Sequence, residues 1–370
     1  MKIAFLARSL EYGGSERQLV ELASGLAARG HEVRVGAFYP GGPLEQLLTE
    51  RSIPVHHFHK RGRYEILRFL LRVRRWLREF GPDIVHGYLI APNLASAILK
   101  PFLRPARIVW GVRASFIDFD RYPRHERWSF QAGRFFCRSA DMVLVNSRAG
   151  YEHHIREGYP QSRMRLVPNG VDTKRFRPDP DAGAALRREW GLDPSARLVG
   201  LVGRIDPMKG HERFLEAAAV LPPEDPTRFV CIGSGPAGCE REMKGRAEEL
   251  GVHERLFWVP FRAEMVPVYN AIDLLISCSS GEGFPNVVAE AMSCGTPAVV
   301  TDVGDSAEIV GGLGEVLQTS EPNAMAAAWL RVLNDPPAPT LLRHSIEDRY
   351  SLDRMVDATE RLLAGLVDHG

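Results

Sequence analysis

Short apolar runs alternating with helix-length segments constrain this chain more than any other feature. In the first half the runs are residues 3–7, 33–38, 55–58, 84–86, 108–112 and 142–145. Helical patterns lie between and after them, at 15–29, 63–80, 93–99, 124–139 and 147–157. Such alternation predicts an α/β protein, a parallel sheet with helices on both faces. The pattern begins again at 198–202 and continues through 229–232, 256–259, 273–277 and 298–301. At 370 residues the chain is too long for one ordinary domain and comfortable for two. Ligands of such folds collect beyond the C-terminal ends of the strands, so the loops there are where chemistry is expected.

Composition narrows the class. Apolar content of 45% and charged content of 25% are those of a soluble globular protein. No run of 18 uncharged apolar residues occurs, so no transmembrane helix is expected. The apolar run at the N-terminus is short and ends at Arg8, which reads as a first buried strand and not a signal peptide. The five cysteines, at 137, 231, 239, 278 and 294, show no C-x-x-C spacing. They are expected as buried free thiols in a reducing cytoplasm.

The net charge of +1 hides an asymmetry. Residues 1–170 hold 27 basic against 15 acidic side chains, a net of +12, and the remainder carries −11. The first half is therefore expected to meet something anionic. Its densest basic stretch is the 63–80 segment, where Arg68, Arg72 and Arg75 oppose a stripe of Ile66, Phe69, Leu70, Val73 and Leu77. Lys60, Arg61, Arg63, Arg74 and Arg78 add to it. This is either a solvated helix face or a surface for anionic lipid headgroups or a pyrophosphate-linked acceptor. Nucleic acid is not expected, because no nucleic-acid-binding motif accompanies the patch.

Several strand ends carry candidate chemistry. Residues 281–301 read GEGFPNVVAEAMSCGTPAVVT: Glu282 in a glycine-flanked loop, Pro285 as a first helical residue, then Asn286 and Glu290 one turn apart on one face. A strand, a tight loop and a helix N-terminus form an anion site, and two carboxylates beside it suit a ligand with a phosphate and several hydroxyls. Arg204 and Lys209 follow the 198–202 strand, a pair of cations suited to a diphosphate. Gly233 and Ser234 open another flexible loop. Gly13 and Gly14 let backbone approach a ligand near a helix start, with Ser15 as a candidate N-cap. His86 and Arg113 end two first-half strands. Residues 177–181, rich in Pro and Asp, read as the linker, and an amphipathic helix from Ser351 closes the chain. No D-x-D sits in a loop suited to holding a metal–diphosphate, and no His/Cys/Asp cluster has metal-ligand spacing, so no metal is expected.

The Glu282-to-Glu290 block resembles the E-x7-E signature of retaining glycosyltransferases of family 4. The stretch from Arg204 to Lys209 resembles the same family's diphosphate-gripping motif. Asn146-Ser147 and the stretch 167–172 resemble signatures at the end of its first domain. The resemblance implies a GT-B fold: two Rossmann-like, doubly wound domains facing a central cleft, with the last helix crossing back to the first. The expected boundaries are 1–175 for the acceptor-side domain, 176–345 for the nucleotide-sugar domain and 346–370 for the returning helix.

It further implies transfer of a hexose from a nucleoside-diphosphate-sugar, UDP favoured over GDP, to a glycan or lipid-linked glycan. That reaction would be retaining and metal-independent, need no cofactor, and serve cell-surface polysaccharide or glycolipid synthesis. The expected place is the cytoplasm, peripherally at the inner membrane face. Glu282, Arg204 and Lys209 are the implied catalytic residues. Glu282 would hold sugar hydroxyls and Glu290 the ribose. Gly13, Gly14, Gly233, Ser234, Gly283, Phe284, Asn286 and Val287 would complete the donor site. Ser15, His86 and Arg113 are candidate sugar or acceptor contacts, Arg113 standing near where the family usually carries a histidine. Two alternatives share the fold: a nucleotide-sugar epimerase-like enzyme and a non-catalytic nucleotide-sugar-binding protein.

Overall fold

A computed structural model describes residues 1–62, 65–113 and 131–368. They form two compact units, one of Met1–Gly170 with the segment from Leu352, the other of Val171–Ser351. The first contains the strands β1 (Lys2–Ala7), β2 (Glu32–Ala37), β3 (Val55–His57), β4 (Ile84–Tyr88), β5 (Arg107–Val112), β6 (Met142–Val145) and β7 (Met164–Leu166). They make one sheet in the order β3-β2-β1-β4-β5-β6-β7, parallel at every pairing. The second unit contains β8 (Leu198–Val202), β9 (Arg228–Ile232), β10 (Leu256–Val259), β11 (Leu274–Ser277), β12 (Ala298–Thr301) and β13 (Glu315–Leu317). Their order is β10-β9-β8-β11-β12-β13, again all parallel. The α/β, doubly wound reading therefore holds in both units.

The strands read as apolar runs because both of their faces are covered. Along β1, Ile3, Phe5 and Ala7 pack with Leu19, Leu22 and Leu26 of the helix Gly14–Ala28. The alternate residues Ala4 and Leu6 pack with Phe69, Val73 and Leu77 of the helix Ile66–Phe80. The same period of two operates in β8. Val199 and Leu201 meet Phe214 and Trp329 on one face, while Leu198 joins the cluster of Tyr269, Val288 and Met292 on the other.

The final helix, Leu352–Asp368, belongs to the first unit. Met355, Val356 and Leu363 enter its core, and a side chain at Gly25 would meet Val356 Cγ2 at 2.4 Å. Arg29 and His31 clamp Glu360 at 2.6 and 2.7 Å.

Several local expectations are corrected. The three-residue strands β7 and β13 fall outside the anticipated set, since MRL and EVL carry too little apolar sequence to stand out. Residues 177–181 are no free linker: Asp179 caps the helix Pro180–Glu189 through a bond from Ala182 N at 3.0 Å, and that helix packs within the second unit. Of the predicted 63–80 and 124–139 helices, residues 63, 64 and 124–130 lie outside the described residues. Arg63 is among them.

Candidate active site

In each sheet the strand order reverses once between neighbours that both send their loops toward the same end, β1/β4 in the first and β8/β11 in the second. Such switch points open a crevice beyond the strand ends. The loops after β8 and β11 carry Lys209 and Glu282, which places the two predicted residues together although 73 positions separate them. Lys209 Nζ donates to Glu282 Oε1 at 2.5 Å, and Ser279 Oγ donates to the same oxygen at 2.6 Å.

Backbone contacts stitch the two loops. Ser280 N donates to Met208 O at 2.8 Å. Gly210 has φ +72°, and a side chain there would meet Cys278 O at 2.2 Å, so this approach requires glycine. The neighbouring loop after β9 is tied in as well: Ile205 N donates to Ser234 O at 3.1 Å, and Gly203 N donates to Ile232 O at 2.9 Å. Gly233 and Ser234 thus sit beside Arg204.

Arg204 differs from Lys209. Its side chain is 66% exposed and forks onto Asp206 Oδ2, with Nε at 2.8 Å. Asp206 also accepts from Met208 N at 2.8 Å, shaping the short 3-10 turn Pro207–Lys209. Sequence reasoning missed Asp206, although a carboxylate two residues after a loop arginine is a local signal for this brace.

Pro285 is the N-cap of the helix Asn286–Ser293, with ψ 91°, and not its first residue as expected. No side chain caps that terminus. Glu290 lies on this helix with 3% exposure and accepts from Tyr269 Oη at 2.8 Å. Gly283 O accepts from Asp305 N at 3.0 Å, and Phe284 is buried against Tyr350 with ring centroids 5.2 Å apart. These contacts fix the backbone between the two glutamates. Asn286 and Val287 occupy the first turn.

In the first unit, the helix after β1 begins at Gly14 with Gly13 as its N-cap, so Ser15 is not the cap. Glu16 folds back over Gly13, where any Cβ would lie 2.2 Å from Glu16 Oε2. Burial pushes the Glu16 carboxyl above its usual range, against the pull of Arg8. Arg113 Nη1 donates to Asn169 Oδ1 at 2.9 Å, Nη2 donates to Tyr88 Oη, and the guanidinium lies 4.5 Å over the Tyr88 ring.

His86 is corrected from a candidate contact to a core residue. It is fully buried against Phe5 and Tyr88, with centroids 5.2 and 5.0 Å away. Burial, assisted by Arg113, holds its imidazole well below the ordinary histidine range. Alternation alone could not distinguish a strand-end histidine from a strand-core one.

The arginine patch is also redrawn. Arg72 turns inward, donating to Phe58 O at 3.0 Å and to Glu65 Oε1 at 2.8 Å. Arg75 pairs with Glu79 at 2.7 Å, and Arg68 and Arg78 are exposed. Ile66, assigned to the buried stripe, is 52% exposed beside Leu67 at 72% and Leu71 at 51%. The buried stripe is instead Phe69, Val73, Trp76, Leu77 and Phe80. Among the described residues no helix is long and apolar enough to cross a membrane, and no group of three His, Cys, Asp or Glu is placed to hold a metal ion.

Two parallel doubly wound units with cations and carboxylates at a switch point define a GT-B type glycosyltransferase fold, and comparison with known proteins agrees. HepE of Anabaena, solved with UDP-glucose, superposes with a TM-score of 0.86 at 24% identity, covering 99% of this chain and 100% of that one. WaaG, a glycosyltransferase involved in lipopolysaccharide biosynthesis, superposes with a TM-score of 0.74 at 20% identity over 96% and 99% of the two chains. Residues 12–175 match the family model Glycosyltransferase Family 4, and residues 196–335 match Glycosyl transferases group 1.

The lipopolysaccharide core biosynthesis mannosyltransferase LpsB of Rhizobium meliloti is 30% identical over 73% of this chain and 75% of its own length. D-inositol 3-phosphate glycosyltransferase of Mycolicibacterium gilvum is 36% identical over 62% of this chain, a match spanning about half (53%) of that relative. The chain belongs to the group 1, family 4 glycosyltransferases.

Proposed function

We propose that this glycosyltransferase moves a hexose from a UDP-sugar to a glycan or lipid-linked glycan with retention of anomeric configuration and without a metal or other cofactor. The observation that carries the reading is the meeting of Lys209 and Glu282 at the switch point of the second unit, with Glu290 on the helix that follows. Lys209 and Arg204 supply the positive charge that a departing diphosphate needs. Glu282 takes hydroxyls of the donor sugar and Glu290 those of the ribose. In retaining transfer of this kind the acceptor hydroxyl attacks from the face the diphosphate leaves. Its proton passes to a phosphate oxygen of the leaving group, so no protein base is required. The HepE complexes with UDP and UDP-glucose favour uridine as the base.

The test is a panel of UDP- and GDP-sugars, read first by thermal stabilisation and then by turnover. A UDP-sugar is expected to raise the melting temperature most. Activity is expected to survive a chelator, and the product is expected to keep the donor's anomeric configuration by NMR. Loss of activity that Mg²⁺ or Mn²⁺ restores, or an inverted product, would overturn the corresponding part.

We also propose that the first unit works peripherally at the anionic cytoplasmic face of a membrane, where a lipid-linked acceptor would lie. The net +12 of residues 1–170 supports this. So does the helix Ile66–Phe80, which exposes Ile66, Leu67 and Leu71 among Arg68, Arg75 and Arg78. Each cation near such a surface contributes about 1 kcal/mol, screened by salt. Binding to anionic vesicles is expected at low salt, to weaken as salt rises, and to be lost when Arg68, Arg75 and Arg78 become Glu. Arg72 is left in place because it braces the helix internally. Absence of binding at low salt, or binding indifferent to the three substitutions, would remove this surface as the contact.

A further inference from the structure

We infer that Ser279 is a positioning residue for the reaction, aiming the Glu282 carboxylate at the donor sugar. The inference rests on Glu282 binding the sugar, as proposed above. Both observed donors to Glu282, Lys209 Nζ at 2.5 Å and Ser279 Oγ at 2.6 Å, converge on Oε1. Two donors from different directions fix the rotation of a carboxylate, and each such bond to an ionised group is stronger than a neutral one. Oε2 is thereby the oxygen offered to sugar hydroxyls.

The two donors differ in constancy. Lys209 ends a flexible four-carbon stem and is also the cation that a diphosphate recruits. Ser279 has a short side chain, is 3% exposed, and its backbone is pinned: Thr301 Oγ1 donates to Ser279 O at 2.8 Å. The next residue, Ser280, holds Met208 O at 2.8 Å. When Lys209 turns toward the diphosphate, Ser279 keeps the carboxylate aimed. Its hydroxyl is the only polar atom that Ser279→Ala removes, so the loop's backbone bonds remain.

The experiment is a double-mutant cycle of Ser279→Ala and Glu282→Ala, using the UDP-sugar that the wild type turns over fastest, with UDP release and UDP binding as readouts. Ser279→Ala is expected to lower turnover about 10-fold, the scale of one hydrogen bond to a charged group, with UDP affinity unchanged. In the Glu282→Ala background the same substitution is expected to cost nothing further. Wild-type turnover in Ser279→Ala, or an equal loss with and without Glu282, would overturn the positioning role. A weakened UDP affinity in Ser279→Ala would do so too, marking a general loop defect. Full turnover in Glu282→Ala alone would instead remove the reading of Glu282 on which this inference rests.

Discussion

Replacing Lys209 with Ala is expected to slow turnover by about 10²–10³-fold, the scale of removing one preorganised donor to developing negative charge. The side chain is partly buried, at 27% exposure, and the Gly210–Cys278 approach holds its loop backbone against the loop after β11. A cation on this loop offsets the negative charge that develops on the diphosphate as the sugar–phosphate bond breaks. Its loss also leaves Glu282, 11% exposed, without its counterion, so the carboxylate proposed to bind the sugar is unbalanced too.

Arg204→Ala is expected to cost less, because that guanidinium is largely in solvent and already shared with Asp206. The fold should survive both changes, since neither side chain contributes to the cores around β8. Steady-state turnover, titration of UDP and a melting curve on each variant check the claim. Unchanged turnover in Lys209→Ala would take this lysine out of the site.

Glu290→Ala is expected to weaken UDP and the full UDP-sugar alike, by about 10-fold or more, because its proposed partner is the ribose that both contain. It should also lower stability by about 1–3 kcal/mol, since the buried Tyr269 hydroxyl loses its acceptor at 2.8 Å. Glu282→Ala should behave differently, lowering turnover of the full donor far more than affinity for UDP. The contrast comes from position. Glu290 sits within the helix and core, whereas Glu282 stands in the loop after β11 beside the cation. Calorimetric titration of both ligands into both variants decides it, and matching profiles would refute the separate roles.

Much of this molecule is written locally. Burial on both faces turns a strand into an apolar run, so the number and spacing of most strands could be read from residues such as 3–7 and 198–202. The cations at 204 and 209 and the carboxylates at 282 and 290 stand after strands and on a helix, so they were legible as candidates from type and place, their proposed roles coming from the family resemblance. The edge strands β7 and β13 escaped because three residues at a sheet margin need little apolar sequence.

What the chain order could not express is which strands become neighbours. That β8 lies beside β11, and so joins Lys209 to Glu282, follows from pairing between segments more than 70 residues apart. The same long-range packing buries His86 in the middle of β4, where the sequence reads as a strand end, and turns Arg72 toward Phe58 O. It also lifts Ile66 out of the buried stripe and sets Ser279 against the Glu282 carboxylate. Periodicity reports which face of an element is apolar, whereas hydrogen-bond partners are set by whatever the rest of the chain brings to that face.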